Sequence, residues 1–429
     1  MLWRLGGPNG IAWLTWTLAT FADAFFVGKL GTGQLAVIAL IFPFQMLMLM
    51  MAAGAIGGGT TSSIGRAIGN KEIKKAESSS FHSIVICSLM SLIYAVTFYF
   101  FSYDIFSFMG ASEEVLVGVI AYSKIFFTFS IVVWLFNILA SIIRGLGDTY
   151  TPAKAITIGS IIQIILSYLL IFGLGPFPKF GVVGPSISII VCHLGMVVYL
   201  IYYLLFVQQT IKIKIQKLKL DIFNDIMKVG GLGLLNSITI ALTVAVVTGY
   251  VGNFGTKALA GYGLGSRLEL ILTPIIFGLG AALTASVSIN IGSKQFKRAR
   301  QIAWTGGLIS FVLIGVIGFL AAVYPQLWIN KFSSDVESLY YGKSYLTIVG
   351  PFYCLFGLGQ ALYFASQGTG KVLKPILIGL LRFFSVVTFG FVAINDNASI
   401  DYVFYSISLG LIITGIGMSL CLLGSEWKK

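Results

Sequence analysis

The sequence predicts an all-α membrane protein, with twelve transmembrane helices in two six-helix bundles related by a pseudo-two-fold axis along the membrane normal. Composition is the first reason: 57% of the residues are hydrophobic and 10% charged, where soluble globular chains carry about 25% charged. The second is a series of apolar runs of roughly 20 residues, each long enough to cross about 30 Å of hydrocarbon. They lack the apolar–polar alternation of a transmembrane barrel strand. The third is an internal duplication.

FADAFFVGKLGTGQLA, from Phe21, is answered by VVTGYVGNFGTKALA, from Val246. Gly28, Gly31, Thr32 and Leu35 thereby match Gly252, Gly255, Thr256 and Leu259 at an offset of 224. Gly69, Lys71 and Ala76 match Gly292, Lys294 and Ala299 at 223, and the same offset aligns RGLGDTYTP from Arg144 with QGTGKVLKP from Gln367. A fixed offset held this long marks a tandem duplication.

Taken in order, the spans fall at about 8–28, 34–62, 80–103, 115–143, 152–173 and 182–206, then 226–251, 257–290, 301–324, 341–366, 372–394 and 402–424. Pro8 suits the first turn of the first helix, where its missing N–H would have no partner anyway. The second and eighth spans exceed what a perpendicular helix needs and are expected to tilt or project. Their glycines (Gly54, Gly57, Gly58, Gly59; Gly278, Gly280) allow either close helix approach or local bending. Six spans per half bring the second copy in with the orientation of the first, so the halves are parallel repeats with a cavity expected at their interface. The lobes are 1–206 and 226–429. The Lys-rich stretch IKIKIQKLKLD lies in the linker 207–225 and reads as interfacial and cytoplasmic.

Lysine and arginine test this count. Loops after even-numbered spans, together with the tails (Arg4, Lys428, Lys429), hold twenty of them, Arg144 included; loops after odd-numbered spans hold five. The bias places both termini in the cytoplasm. It also accounts for the net charge of +13 through topology, so no nucleic-acid partner is implied. The four cysteines stand singly in apolar runs, without metal-ligand spacing.

Of the fifteen acidic residues, only Asp23 and Glu269 sit well within spans. A carboxylate at mid-bilayer costs roughly 2.5–3.5 kcal/mol on insertion scales, so such residues face cavities and carry function, or form ion pairs between helices. Glu269 has a local candidate partner in Arg267, two residues away; Asp23 has no cation in its helix before Lys29. Asp23 is therefore the sharper candidate for loading H⁺ or Na⁺ on one side and releasing it on the other, with Glu269 second. Glu269 aligns with Gln45 at the 224 offset, so one position is acidic in one half and neutral in the other. Gln45, Gln163, Ser167, Asn236 and Gln367 are polar intramembrane residues that either line the cavity or join helices. Arg382 lies in a span without an assigned role.

These residues resemble the multidrug and toxic compound extrusion (MATE) family. The carrying motifs are ADAFFVGKLGTGQLA, RAIGNKEIKKA, IIRGLGDTYTPA, LLIFGLGP with FGVVGPSIS, and GYGLGSRLELILTPIIFGLGAA, in family order along nearly the whole chain. The resemblance implies two six-helix lobes in a V. It implies export of amphipathic, often cationic, organic compounds, driven by inward flow of H⁺ or Na⁺ through alternating access. Asp23 then falls at the family's first-span aspartate, with Na⁺ binding there as one option, and Arg267 with Glu269 at an Arg-x-Glu pattern. Two departures stand out. The fifth span reads QIILS, with Gln163 and with Ser167 in place of an acid, and the seventh has Asn236 near where some members carry glutamate.

A lipid-linked precursor flippase of the same superfamily is the alternative, disfavoured because intramembrane cations are few. An enzyme is not expected: His82 and His193 stand alone, no G-x-S-x-G elbow occurs, and GAIGGGTT lacks the GK[ST] ending of a phosphate loop. No cofactor is expected beyond the coupling ion. The expected partners are small organic substrates and the lipid bilayer, for a monomer in the inner membrane of a bacterial or archaeal cell.

Overall fold

The structure is a computed structural model and describes residues 2–332, 335–396, 398–424 and 427. Lys428 and Lys429, counted above in the basic tails, lie outside the described residues, as does the side chain of Arg4.

Among the described residues the twelve expected spans are all present. They are α1 (Leu2–Gly28), α2 (Thr32–Gly69), α3 (Ile73–Phe108), α4 (Glu113–Thr128 and Ser130–Gly145), α5 (Tyr150–Phe172) and α6 (Gly181–Val207). The second half gives α7 (Leu220–Gly252), α8 (Thr256–Gly292), α9 (Phe296–Val323), α10 (Val336–Thr369), α11 (Leu373–Asn395) and α12 (Ile400–Cys421). Eleven are single helices, and α4 is a pair bent by 44°. Pro8 is inside α1 rather than in its first turn, because the helix begins at Leu2.

Side chains that face lipid are apolar like those in the core, so amphipathicity is weak and burial instead sorts the residues. The buried apolar side chains form two clusters, one running from Ala12 to Ile226 and the other from Val229 to Trp427. Repetition extends to backbone detail. Gly31 and Gly255, ahead of α2 and α8, have φ of 130° and 100°, and Lys71 and Lys294 both turn left-handed at 62° and 59°.

The lobes meet at the end of the bundle that carries the basic loops. There the end of α2 packs on the end of α8 around two matched glycines. A Cβ on Gly69 would lie 2.9 Å from Gly292 Cα, and one on Gly292 would lie 2.9 Å from Arg66 Cα. Only hydrogen atoms fit between backbones this close, which is why both copies hold glycine here. Arg66 Nη2 pairs with Asp225 Oδ1 of α7 at 2.8 Å, and Ser63 Oγ donates to Asp225 Oδ2 at 2.7 Å. Arg66 Nη1 also donates to Ser62 Oγ, which in turn donates to the carbonyl of Gln367 on α10. The linker is pinned to the first lobe: the backbone N–H groups of Lys212 and Lys219 donate to Glu77 Oε1 and His82 Nε2 on α3.

Candidate functional site

Asp23 lies on α1 where that helix packs on α5, through Phe26 against Tyr168 and Phe172. It is buried at 5% exposure, with no lipid or solvent face. Gln163 Nε2 donates to its Oδ2 at 3.0 Å. Asp23 Oδ1 has no hydrogen-bond partner, and Ser167 Oγ stands beside the carboxylate without meeting hydrogen-bond geometry. Tyr122 of α4 and Cys192 of α6 are within electrostatic reach. Among the described residues no ion pair involves Asp23: the three pairs are Arg66–Asp225, Lys75–Glu72 and Lys257–Asp335. The sequence thus named the acid and two of its neighbours, Gln163 and Ser167.

Gln45 joins this cluster through Tyr122. Its Nε2 donates to Tyr122 Oη at 3.1 Å. The second lobe repeats this rung with an acid in place of the amide, Tyr345 Oη donating to Glu269 Oε1 at 2.6 Å. Tyr345 is the copy of Tyr122, as Glu269 is of Gln45. Each lobe therefore holds one carboxylate beside an equivalent tyrosine, from the first helix in one copy and the second in the other.

The local candidate partner of Glu269 is not beside it. Arg267 is exposed, with its guanidinium 5.8 Å from the Phe332 ring centroid, because residues two apart lie on opposite sides of a helix. Glu269 instead takes a second hydrogen bond from Tyr353 Oη at 3.2 Å and lies within reach of the buried Arg382 of α11. Sequence reading left Arg382 without a role; its position on a neighbouring helix is a tertiary fact. Asn236 is buried in the second lobe against Gly379, within bonding reach of Tyr363.

Gln367 is the expected cavity residue that lies between the lobes. It borders a cavity of about 20 Å³ on the pseudo-two-fold axis. Equivalent positions of the two copies line it together: Thr61 and Thr284, Ser141 and Phe364, and Arg144 and Gln367, each 223 apart. Arg144 was counted as a loop cation, yet it ends α4 at 4% exposure. The repeat offset was the signal that could have found it, since Arg144 aligns with a residue already picked for the cavity. Gln367 Nε2 reaches across to the Gly54 carbonyl at 2.8 Å. Gly54 lies in a π-helical segment of α2, Met50–Ile56; such segments free backbone groups from the regular ladder.

Membrane-spanning helices in two equivalent halves about a small axial cavity make this an integral membrane protein of the transporter kind. The MatE family profile matches residues 8–169 and 234–392, and the chain belongs to that family. It is similar to the probable multidrug resistance protein YoeA of Bacillus subtilis, 26% identical over 367 residues, covering 84% of this chain and 79% of the relative. It is also similar to the FAD transporter of Shewanella oneidensis, 26% identical over 391 residues, covering 89% and 85%. Among solved structures, it superposes with a TM-score of 0.92 on a MOP superfamily transporter from Pyrococcus furiosus, described as having a binding pocket of reverse polarity that suggests a different function. That match is 23% identical over 100% of this chain and 96% of the other. A MATE transporter in complex with MaD3S superposes at 0.90, 22% identical over 98% and 95%.

Proposed function

We propose that this protein is a cation-coupled exporter of amphipathic organic compounds, moving them by alternating access of the lobes 1–206 and 226–429 about the linker 207–225. The observation that carries this reading is Asp23: a buried carboxylate with one oxygen held by Gln163 and the other unbonded, with no cation tied to it. Such a group is neutralised by binding H⁺ or Na⁺ and recharged by losing it. Either change alters the electrostatics of the α1–α5 contact, because a buried charge and its neutral form differ greatly in solvation.

Relatives named for multidrug resistance or export support the transport class. Lobes that join at the basic end support an outward-facing, inner-closed state, with both termini in the cytoplasm. Asp23 is the primary coupling residue and Glu269 the second, since Glu269 already has Arg382 as a resident counter-charge. No catalytic step and no cofactor are needed, and the single chain holds both lobes.

Reconstituted vesicles decide the matter. A pH gradient or a Na⁺ gradient, imposed separately, is expected to drive counter-movement of ethidium (a cation) or fluorescein (an anion), and Asp23→Asn to reduce it to the protein-free background. Gradient-driven movement by a folded Asp23→Asn protein would remove Asp23 from the mechanism; no movement under either gradient would sink the exporter reading itself.

A further inference from the structure

We propose that the axial cavity is an anion-recognising subsite, which takes a carboxylate or phosphate oxygen of the transported molecule. The proposal rests on the exporter reading and narrows its substrate class. Its basis is where the two copies stop matching. Duplication has brought equivalent positions of both copies to one cavity, and at Arg144 and Gln367 it leaves a guanidinium in one copy where the other has an amide. Among the described residues no carboxylate lines the cavity and no ion pair uses Arg144.

Spare hydrogen-bonding capacity converges on the same space. Arg144 Nε and Trp13 Nε1 are buried donors with no partner, and Gln367 Oε1 is a buried acceptor with none. Exposure is 4% for Arg144, 6% for Trp13 and 0% for Gln367. The hydroxyls of the cavity are committed elsewhere: Thr61 Oγ1 donates to the Ser141 carbonyl, Ser141 Oγ to that of Asn137, and Thr284 Oγ1 to that of Phe364. A guanidinium taken out of water without a partner is costly, and an anion is what relieves it. Trp13, Phe277 and Phe364 form an aromatic wall, with ring centroids 5.6 Å and 5.1 Å apart in sequence. About 20 Å³ holds one water-sized group, so the site accepts an oxygen at the end of a ligand whose flat apolar body lies against the aromatic wall. This polarity is opposite to that suited to an organic cation.

Four probes share one ring system: 2-naphthoate, 2-naphthyl phosphate, neutral 2-naphthalenemethanol and 2-naphthalenemethylammonium. Titration calorimetry on the purified full chain is expected to show both anions binding at least tenfold tighter than the alcohol, and the ammonium weakest. Arg144→Gln should weaken the anions roughly 10- to 100-fold, as loss of a hydrogen bond to a charged group implies, and leave the alcohol unchanged. Arg144→Lys should recover part of the loss. Equal weakening of all four by Arg144→Gln, or a preference for the ammonium in the native protein, overturns the proposal.

Should Arg144→Gln fail to fold, Gln367→Glu sets a carboxylate in the cavity with the intact Arg144. It should abolish the preference for anions, and an unchanged preference overturns the subsite. In vesicles the two readings fail differently. Transport of the ammonium alone removes the subsite and keeps the exporter, whereas transport of none of the probes removes the exporter.

Discussion

Single residues separate the two intramembrane carboxylates. Asp23 has an amide on one oxygen and nothing on the other, while Glu269 accepts from two tyrosines and has Arg382 within reach. Arg382 has Glu269 as a nearby opposite charge while its Nε and Nη2 have no hydrogen-bond partner, so removing the carboxylate leaves the guanidinium less compensated, whereas removing both charges together is often close to neutral. Glu269→Gln is therefore expected to lower stability by about 1–3 kcal/mol while gradient-driven transport falls less than in Asp23→Asn. The double variant Glu269→Gln/Arg382→Met should recover part of that loss, a coupling read from thermal unfolding of the four proteins in the cycle. Loss of coupled transport in a folded Glu269→Gln protein would make Glu269 an equal partner of Asp23.

This is also where the sequence was most and least legible. Asp23 stands out because a charge in an apolar span needs a reason, and Gln163 because it is an amide in the fifth span. The candidate partner Arg267 does not meet Glu269, because proximity in sequence is no proximity on a helix at a spacing of two. Arg144 escaped notice because it sits at a span edge, where a cation is ordinarily assigned to the loop.

At the scale of elements, both copies disturb the same stretch of their second helix by different means. The π-helical segment Met50–Ile56 of α2 aligns at 223 with the part of α8 that contains Pro274. Of the two roles open to the glycines in these helices, close approach is the one seen: a Cβ on Gly59 would lie 3.2 Å from Gly230 Cα, and one on Gly278 would lie 2.8 Å from Gly10 Cα. The repeated turns at Lys71 and Lys294 hold a left-handed backbone that glycine adopts freely and lysine does not. Lys71→Gly and Lys294→Gly should each stabilise the fold by about 1 kcal/mol, measured as a raised unfolding temperature; a fall at both sites would show that the side chains matter more than the strain.

The opposite end of the second lobe is held by Asp335, which caps α10 by accepting from Ser338 N at 2.9 Å and pairs with Lys257 Nζ at 2.5 Å. The lysine ammonium, followed by Ser338, holds the Asp335 carboxyl down to about 2 from an ordinary 3.8. A folded value below the unfolded one means that this contact stabilises fully above about pH 4 and is lost as pH falls through about 2. The difference in unfolding temperature between the native protein and Asp335→Asn should accordingly be largest at neutral pH and shrink toward pH 2. A difference that stays constant over that range would mean that the charge contributes nothing.

For the whole molecule the question is what keeps the basic end shut. Among the contacts that join the lobes there, two can be ranked by magnitude. Arg66–Asp225 is partly solvated, with side-chain exposures of 16% and 30%, and pairs near the surface contribute about 1 kcal/mol or less. The matched glycines bring two backbones together along α2 and α8. A side chain on Gly292 would sit 2.9 Å from Arg66 Cα, which no rotamer relieves because the obstacle is main chain. Steric exclusion should therefore outweigh loss of the ion pair.

With the four native cysteines replaced by alanine, Ser62→Cys reports on the seal, since Ser62 is fully buried at this contact. Gly292→Leu should raise its rate of labelling by an impermeant maleimide, applied from the basic side, by at least about tenfold, the population change that about 1.4 kcal/mol produces. Arg66→Gln should raise it by less. If the order were reversed, the Arg66–Asp225 pair would be the lock and the glycines merely close neighbours. If neither variant changed the rate, opening would have to begin elsewhere, at the α1–α8 crossing where Gly10 backs onto Gly278.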